Sequence, residues 1–200
     1  MSLVALLAAL PPAARADTPE DAPVQALDSA LIATMKAGSA GQGYAQRYKA
    51  LDPVVTQSFN MPVVEQNSVG FLWVTIPQAQ QSALDAVFEQ FTVASYVSQF
   101  NGYSGQKINI LPAEKSLGNK KIVETQLVPG DGSAPVELDY VVSNGPAGWQ
   151  ITDVLLNGTI SQVAIHSSDF SALVTSGDAS KLITALKAKV AALSSGSGGQ

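Results

Sequence analysis

His166 is the only histidine in this chain of 200 residues, and Ser167, Ser168 and Asp169 follow it directly. Imidazole, hydroxyl and carboxylate are the side-chain types of a nucleophilic triad. Their spacing denies them that chemistry, because consecutive residues on a helix point to different sides and do not converge. One histidine and no cysteine also leave too few ligands for a metal site built on those residues. His166 therefore reads as a surface or helix-capping residue. Asp153 is the other group of interest, because strand alternation puts it on one face with Trp149, Ile151 and Leu155. A carboxylate on an apolar face must be hydrogen-bonded or hold its proton more tightly than usual. It could act as a general base, but a lone acid makes a poor active site. The reading is therefore structural. The chain contains no Gly-x-Ser-x-Gly elbow, no P-loop and no dinucleotide fingerprint. The expectation is a protein with no catalytic residue, no metal and no cofactor.

The elements around these residues fall into three groups. Val24, Leu27, Leu31 and Met35 recur at helical spacing up to Gly38, and Tyr44, Tyr48, Leu51, Val55 and Phe59 form a second such pattern. Pro53 is expected to kink that second helix. Residues 61–73 are mixed. Pro77 opens the longest helix, which runs through Leu84, Phe88 and Tyr96 to Phe100. Four strand-like runs follow at 107–111, 121–128, 136–142 and 149–156. The turns between them are rich in glycine, asparagine and proline, at 117–119, 129–132 and 144–146. Short turns between successive strands imply an antiparallel meander. After Gly158 a helix is expected to start near Ile160–Ser161 and to stop at Gly177, and a last helix carries Leu182, Leu186 and Val190. Helices, then a meander, then helices give one α+β domain.

Composition narrows the function. Hydrophobic residues make up 46% and charged ones only 14%, against roughly 25% charged in an ordinary soluble protein. The deficit implies apolar surface beyond a simple core, as an internal cavity or a partner-facing patch. A net charge of −5 excludes nucleic acid, whose phosphates call for clustered Lys and Arg. It equally excludes a polybasic hold on anionic membranes. Residues 1–16 read as a secretion signal: an apolar run from Leu3 to Leu10, a break at Pro11–Pro12, and Ala14-Arg15-Ala16 as a cleavage site. No basic residue precedes the apolar run, which departs from the usual pattern. The mature domain is expected to span 17–193, with residues 194–200 as a flexible tail.

Alternation puts Val136, Leu138, Tyr140 and Val142 on one face of the third strand, with Glu137 and Asp139 on the wetter side. Ile108 and Ile110 share a side of the first. Apolar periodicity alone cannot separate a filled core from a lined cavity.

Several stretches resemble the MlaC/toluene-tolerance family of periplasmic lipid-carrier proteins. They are Arg47 with Leu51–Phe59; Val69-Gly70 with Trp73; Tyr96, Phe100, Tyr103 and Gly105; and Trp149, Asp153, Gly158, Phe170 and Gly177. The run GTISQVA at 158–164, followed by SDF at 168–170, looks like the hopanoid-biosynthesis-associated HpnM branch. Ser167 stands where the family often has arginine, and the interval from Gly158 to Phe170 is one residue longer than in typical phospholipid carriers. The resemblance implies a twisted antiparallel sheet of about four strands, partly wrapped by N- and C-terminal helices around an apolar pocket. It implies a soluble periplasmic carrier of phospholipid or hopanoid lipid between inner and outer membranes. Its partners would be an inner-membrane lipid transporter complex and an outer-membrane lipoprotein or porin complex. Strand parity and that architecture together suggest Trp73, Ile108, Ile110, Val123, Leu138, Tyr140, Val142 and Ile151 as lipid-binding residues. The competing reading is a docking or scaffold module of a periplasmic transport assembly, with a solid core.

Overall fold

The computed structural model describes residues 18–196. The expected secretion signal and the last four residues of the expected tail lie outside them. Helices α1 (Ala22–Ser39), α2 (Tyr44–Ser58) and α3 (Met61–Val69) come first, then a 3-10 helix (Gly70–Thr75) and the long α4 (Gln78–Gln99). Strands β1 (Lys107–Leu117), β2 (Lys120–Val128), β3 (Val136–Gly145), β4 (Gly148–Leu156) and β5 (Ile160–Ser161) follow. Helices α5 (Gln162–Phe170) and α6 (Ser180–Ser194) close the chain. The strands form one antiparallel sheet in sequence order, as the short turns imply. The α+β class holds.

Helix α1 buries Val24, Leu27 and Leu31 completely, the i, i+3, i+7 stripe visible in the sequence. It packs on α2, β1 and β4. Pro53 lies inside α2, which continues around it to Ser58. Arg47 fastens the start of α2 to α4 by donating from Nη1 to the Val97 carbonyl at 2.8 Å. At the end of α2 the backbone crosses to the sheet. Asn60 N–H donates to the Ile151 carbonyl at 2.9 Å, while the Asn60 side chain accepts from Val63 N–H and caps α3. The helical layer is thereby joined to β4 through main-chain atoms.

Two local features differ from the sequence reading. A two-residue strand, β5, occupies Ile160–Ser161, where the helix was expected to start, and α5 begins at Gln162. The cause is the Asn157–Gly158 turn, where both residues take positive φ (51° and 68°), as a type I′ hairpin requires. This turn folds the chain back along β4 before any helix begins. Strand β3 is also buried on both faces from Leu138 to Val142, where the alternation suggested one wet side. Asp139 is buried because the neighbouring strand satisfies it, Thr125 N–H donating to its carboxylate at 3.3 Å. Val136, expected inside, is 40% exposed at the start of the strand.

Gly38 shows how closely the layers approach. A Cβ at this position would meet the Asn101 carbonyl oxygen at 2.0 Å. Next to it, Ser39 Oγ accepts from Tyr103 N–H at 2.6 Å and donates to the Tyr103 carbonyl at 3.2 Å. The end of α1 is therefore locked onto the loop that leads from α4 to the sheet. Gly38→Ala is expected to destabilise the protein by about 1–3 kcal/mol, the usual range for overpacking. Thermal unfolding should show a drop of several degrees, and an unchanged midpoint would mean the two segments separate freely.

Candidate functional site

Between α4, the β3–β4 face of the sheet, α5 and α6 lies a cavity of about 490 Å³. Helix α4 contributes Phe88, Phe91, Ser95, Tyr96, Gln99 and Phe100; the sheet contributes Leu138, Tyr140, Val154 and Leu156; α5 contributes Val163 and His166. Phe59 and Val64 line it from the α2–α3 corner, and Lys189 and Leu193 from α6. The aromatic wall is continuous, with Phe59–Tyr96 and Tyr96–Phe100 ring centres both 6.0 Å apart. On the other side His166 stacks on Phe170 at 5.3 Å and meets Phe91 edge-on at 5.6 Å.

Asp153 positions α5 against this space. Its Oδ2 accepts from Ser161 Oγ at 2.5 Å, and its Oδ1 accepts from Val154 N–H at 2.8 Å and Val163 N–H at 3.1 Å. Ser161 caps the helix through Ala164 N–H at 2.9 Å. The carboxylate and the hydroxyl thus share the free amides of the first turn of α5. With both oxygens engaged, Asp153 has the structural surroundings that its place on an apolar face demands.

A buried acid lies behind the cavity. Tyr140 lines the cavity, and its hydroxyl donates to Asp28 Oδ1 at 2.9 Å. Asp28 Oδ2 is buried without a partner, and burial pushes this carboxyl up to about 7 even though the Tyr140 hydrogen bond pulls the other way. Burial and the nearby Asp28 likewise raise the phenols of Tyr140 and Tyr96. His166 responds oppositely: burial lowers it, while Asp169 and Asp153 partly restore it. Among the described residues no three His, Cys, Asp or Glu side chains are grouped to hold a metal ion.

The eight residues suggested by the sequence fall into four places. Leu138 and Tyr140 line the cavity. Ile108 and Ile110 line a separate cleft of about 590 Å³ between α1 and β1, together with Asp28 and Ile32. Val123, Val142 and Ile151 are fully buried in the core, and Trp73 packs half-buried against it from the 3-10 helix. Strand parity missed the α4 wall and His166. Helical spacing offered no signal for this wall, because Phe91 and Ser95 continue the stripe of Leu84 and Phe88 at i+7 and i+11 and so read as ordinary core.

Fold and cavity together define a class: an α+β domain in which helices close an apolar space against an antiparallel sheet. Residues 25–188 match the family described as MlaC protein, and the chain belongs to that family. Among solved structures it resembles a phospholipid-binding protein from Ralstonia solanacearum, determined in complex with a phospholipid. The TM-score is 0.74 at 19% identity, covering 87% of this chain and 98% of that one. At this identity the likeness is one of fold. A comparison with curated proteins finds no match.

The buried acids make stability depend on pH. Glu65 on α3 is pushed up to about 9, first by burial and then by Asp85, and Asp28 to about 7. Both hold protons more tightly folded than unfolded. Their stabilisation is therefore full below about pH 4 and is lost as pH rises through about 7 for Asp28 and about 9 for Glu65. Asp28→Asn keeps an acceptor for Tyr140 and never charges. In urea unfolding it is expected to lose less stability than the parent between about pH 5 and pH 8. An equal loss would assign the dependence to other groups.

Proposed function

We propose that this protein is a soluble, non-enzymatic periplasmic carrier that shuttles a phospholipid or hopanoid-type lipid between the inner and outer membranes. The observation that carries the reading is the apolar-walled cavity of about 490 Å³ inside a chain of the MlaC family. Its volume lies within the roughly 300–1,000 Å³ of typical ligand sites. The phospholipid complex of the Ralstonia protein, which shares the fold, supports a phospholipid as cargo. The GTISQVA and SDF runs favour the hopanoid-associated branch of the family. Residues 1–16 serve as the export signal in this reading. An inner-membrane transporter complex and an outer-membrane lipoprotein or porin complex exchange lipid with the carrier.

Enclosure is what such a cargo demands. Each methylene is worth about 0.8 kcal/mol, so a lipid with on the order of thirty of them faces roughly 25 kcal/mol on leaving a bilayer for water. In this reading Leu138 and Tyr140 touch the chains, and Val123, Val142 and Ile151 back the wall from the core. Ile108 and Ile110 offer apolar surface in the cleft beside α1, and Trp73 steadies the rim. The competing scaffold module has a solid core, which a cavity of this size opposes.

Native mass spectrometry of the chain from Asp17, with organic extraction of anything bound, tests the carrier. A stoichiometric lipid is expected. Protein that is free of lipid, and stays so after incubation with liposomes, would dismiss the reading. Ser95 on the α4 wall provides a second check. Ser95→Trp fills the cavity from a half-buried position and is expected to cut bound lipid at least tenfold while the fold persists by circular dichroism. Full lipid occupancy in that variant would place the cargo elsewhere.

A further inference from the structure

Phe71 and Val74 are 88% and 84% exposed, the most open large apolar side chains among the described residues. A 3-10 helix has three residues per turn, so positions 71 and 74 eclipse each other and project from one edge. The edge is firmly braced. Thr75 Oγ1 donates to the Leu72 carbonyl at 2.7 Å and accepts from Gly177 N–H at 3.1 Å. Gln81 Nε2 donates to the Trp73 and Ile76 carbonyls at 3.1 and 3.0 Å, and Ile76 is buried in the core. Leu72 and Trp73 stand half-buried beside the pair. A single exposed apolar residue is ordinary, but this corner also lacks charge. Residues 66–84 contain no Asp, Glu, Lys, Arg or His, and neither do residues 170–177, the segment that Gly177 ties to Thr75. The margins are mainly acidic: Asp85, Asp169 and Asp178 are exposed, with Lys181 acting on Asp178 alone. No Lys or Arg occurs between Lys49 and Lys107.

We infer that this corner docks on the neutral, zwitterionic interface of a lipid bilayer, with Phe71 and Val74 entering the boundary between headgroups and chains. That boundary accepts aromatic and aliphatic side chains presented on backbone already hydrogen-bonded within the protein. Uncharged flanks give up no ionic hydration on approach, and a margin without clustered Lys or Arg gains nothing from anionic lipid. A protein partner fits the corner less well. A stable interface takes about 800 Å² from each side, whereas a phenylalanine offers roughly 150–250 Å². A fluid bilayer needs no matching surface. The start of α4, the end of α5 and the start of α6 all adjoin the two uncharged segments, so a bilayer at this corner meets the ends of three helices that wall the cavity. The inference does not depend on what the cavity holds.

The experiment is flotation of the chain from Asp17 with phosphatidylcholine vesicles, and with vesicles of equal parts phosphatidylcholine and phosphatidylglycerol. Binding to phosphatidylcholine is expected, insensitive to added salt and no weaker than binding to the mixed vesicles. Phe71→Ser combined with Val74→Ser is expected to weaken it at least about tenfold, with thermal unfolding and cargo, read by native mass spectrometry, unchanged. Leu117→Ser removes a 52% exposed leucine at the end of β1 and is expected to bind like the parent. Binding that survives the double substitution, or that falls equally in Leu117→Ser, overturns the inference. A parent that stays off neutral vesicles overturns it too. Binding to the mixed vesicles alone would then assign the contact to charge, and dimerisation that the double substitution abolishes would assign the corner to a second copy. All of these outcomes leave the carrier reading standing, which falls only if the protein takes up no lipid.

Discussion

Asp153 concentrates its hydrogen bonds where the sheet becomes a helix. It binds the amide of its own neighbour Val154, the hydroxyl of Ser161 across the β4–β5 hairpin, and the Val163 amide in the first turn of α5. A carboxylate accepting hydrogen bonds at a helix N-terminus is favoured by geometry and by the helix dipole. Here the consequence is architectural. Val163 and His166 reach the cavity only because α5 starts where this carboxylate holds it. The Asn157–Gly158 turn sets the length of the hairpin, and Gly158 holds a φ of 68° that favours glycine.

The interior is unusually rich in protonatable groups for a domain with so little charge. Asp28, Glu65 and Asp139 are all buried acids whose titration burial raises. A buried acid that keeps its proton avoids the large cost of an unpaired charge, and each of these has a polar neighbour within reach. Asp28 has the Tyr140 hydroxyl, Glu65 has Asp85, and Asp139 has the Thr125 amide. The Asp28–Tyr140 bond has a particular consequence for the cavity. It occupies the hydroxyl at the end of the wall's largest fully buried side chain, so that Tyr140 presents its apolar ring.

The elements were legible because their signals are local. Helical spacing in α1 and α4, proline at a helix start, and glycine- and asparagine-rich turns between four strand runs place most of the fold. Pro112, in a strand-like context, accords with the edge strand β1, whose register breaks between Ile110 and Glu114. The fold class and the antiparallel order followed from turn length. What periodicity did not reveal was which buried residues face an empty space. Val142 and Tyr140 share one face of β3, yet Val142 is sealed in the core while Tyr140 lines the cavity. The difference arises from where α5 and α6 pack over the sheet, a tertiary matter invisible to alternation. His166 was misjudged for a related reason. Beside Ser167, Ser168 and Asp169 it looked like a solvent-facing helix residue, but α4 supplies two phenylalanine rings from about 75 positions away in the chain.

The nature of the cavity wall bears on how cargo could leave. A lipid held only by matched aliphatic packing would face much of the transfer cost in water at every release. Release into another apolar environment avoids that cost, because the chains pass from one enclosure to the next in a near-balanced exchange. A protein acting as the proposed carrier needs walls that separate, and the elements here differ in how firmly they are anchored. The α2–α3 corner is joined to β4 through the main chain at Asn60 and Ile151. Helix α6 is attached mainly to α4, with its loop held by side chains: Gln80 accepts from Ala179 N–H at 2.6 Å, and Thr75 Oγ1 accepts from Gly177 N–H at 3.1 Å. None of the cavity-lining helices α4, α5 and α6 has a backbone hydrogen bond to the sheet among those described, but α5 is tied to β4 by the Asp153 carboxylate. Moving α6 would uncover Leu193 and Lys189 and open the space without breaking the sheet or the Asp153 junction, so the rigid and the separable walls of the site are different elements.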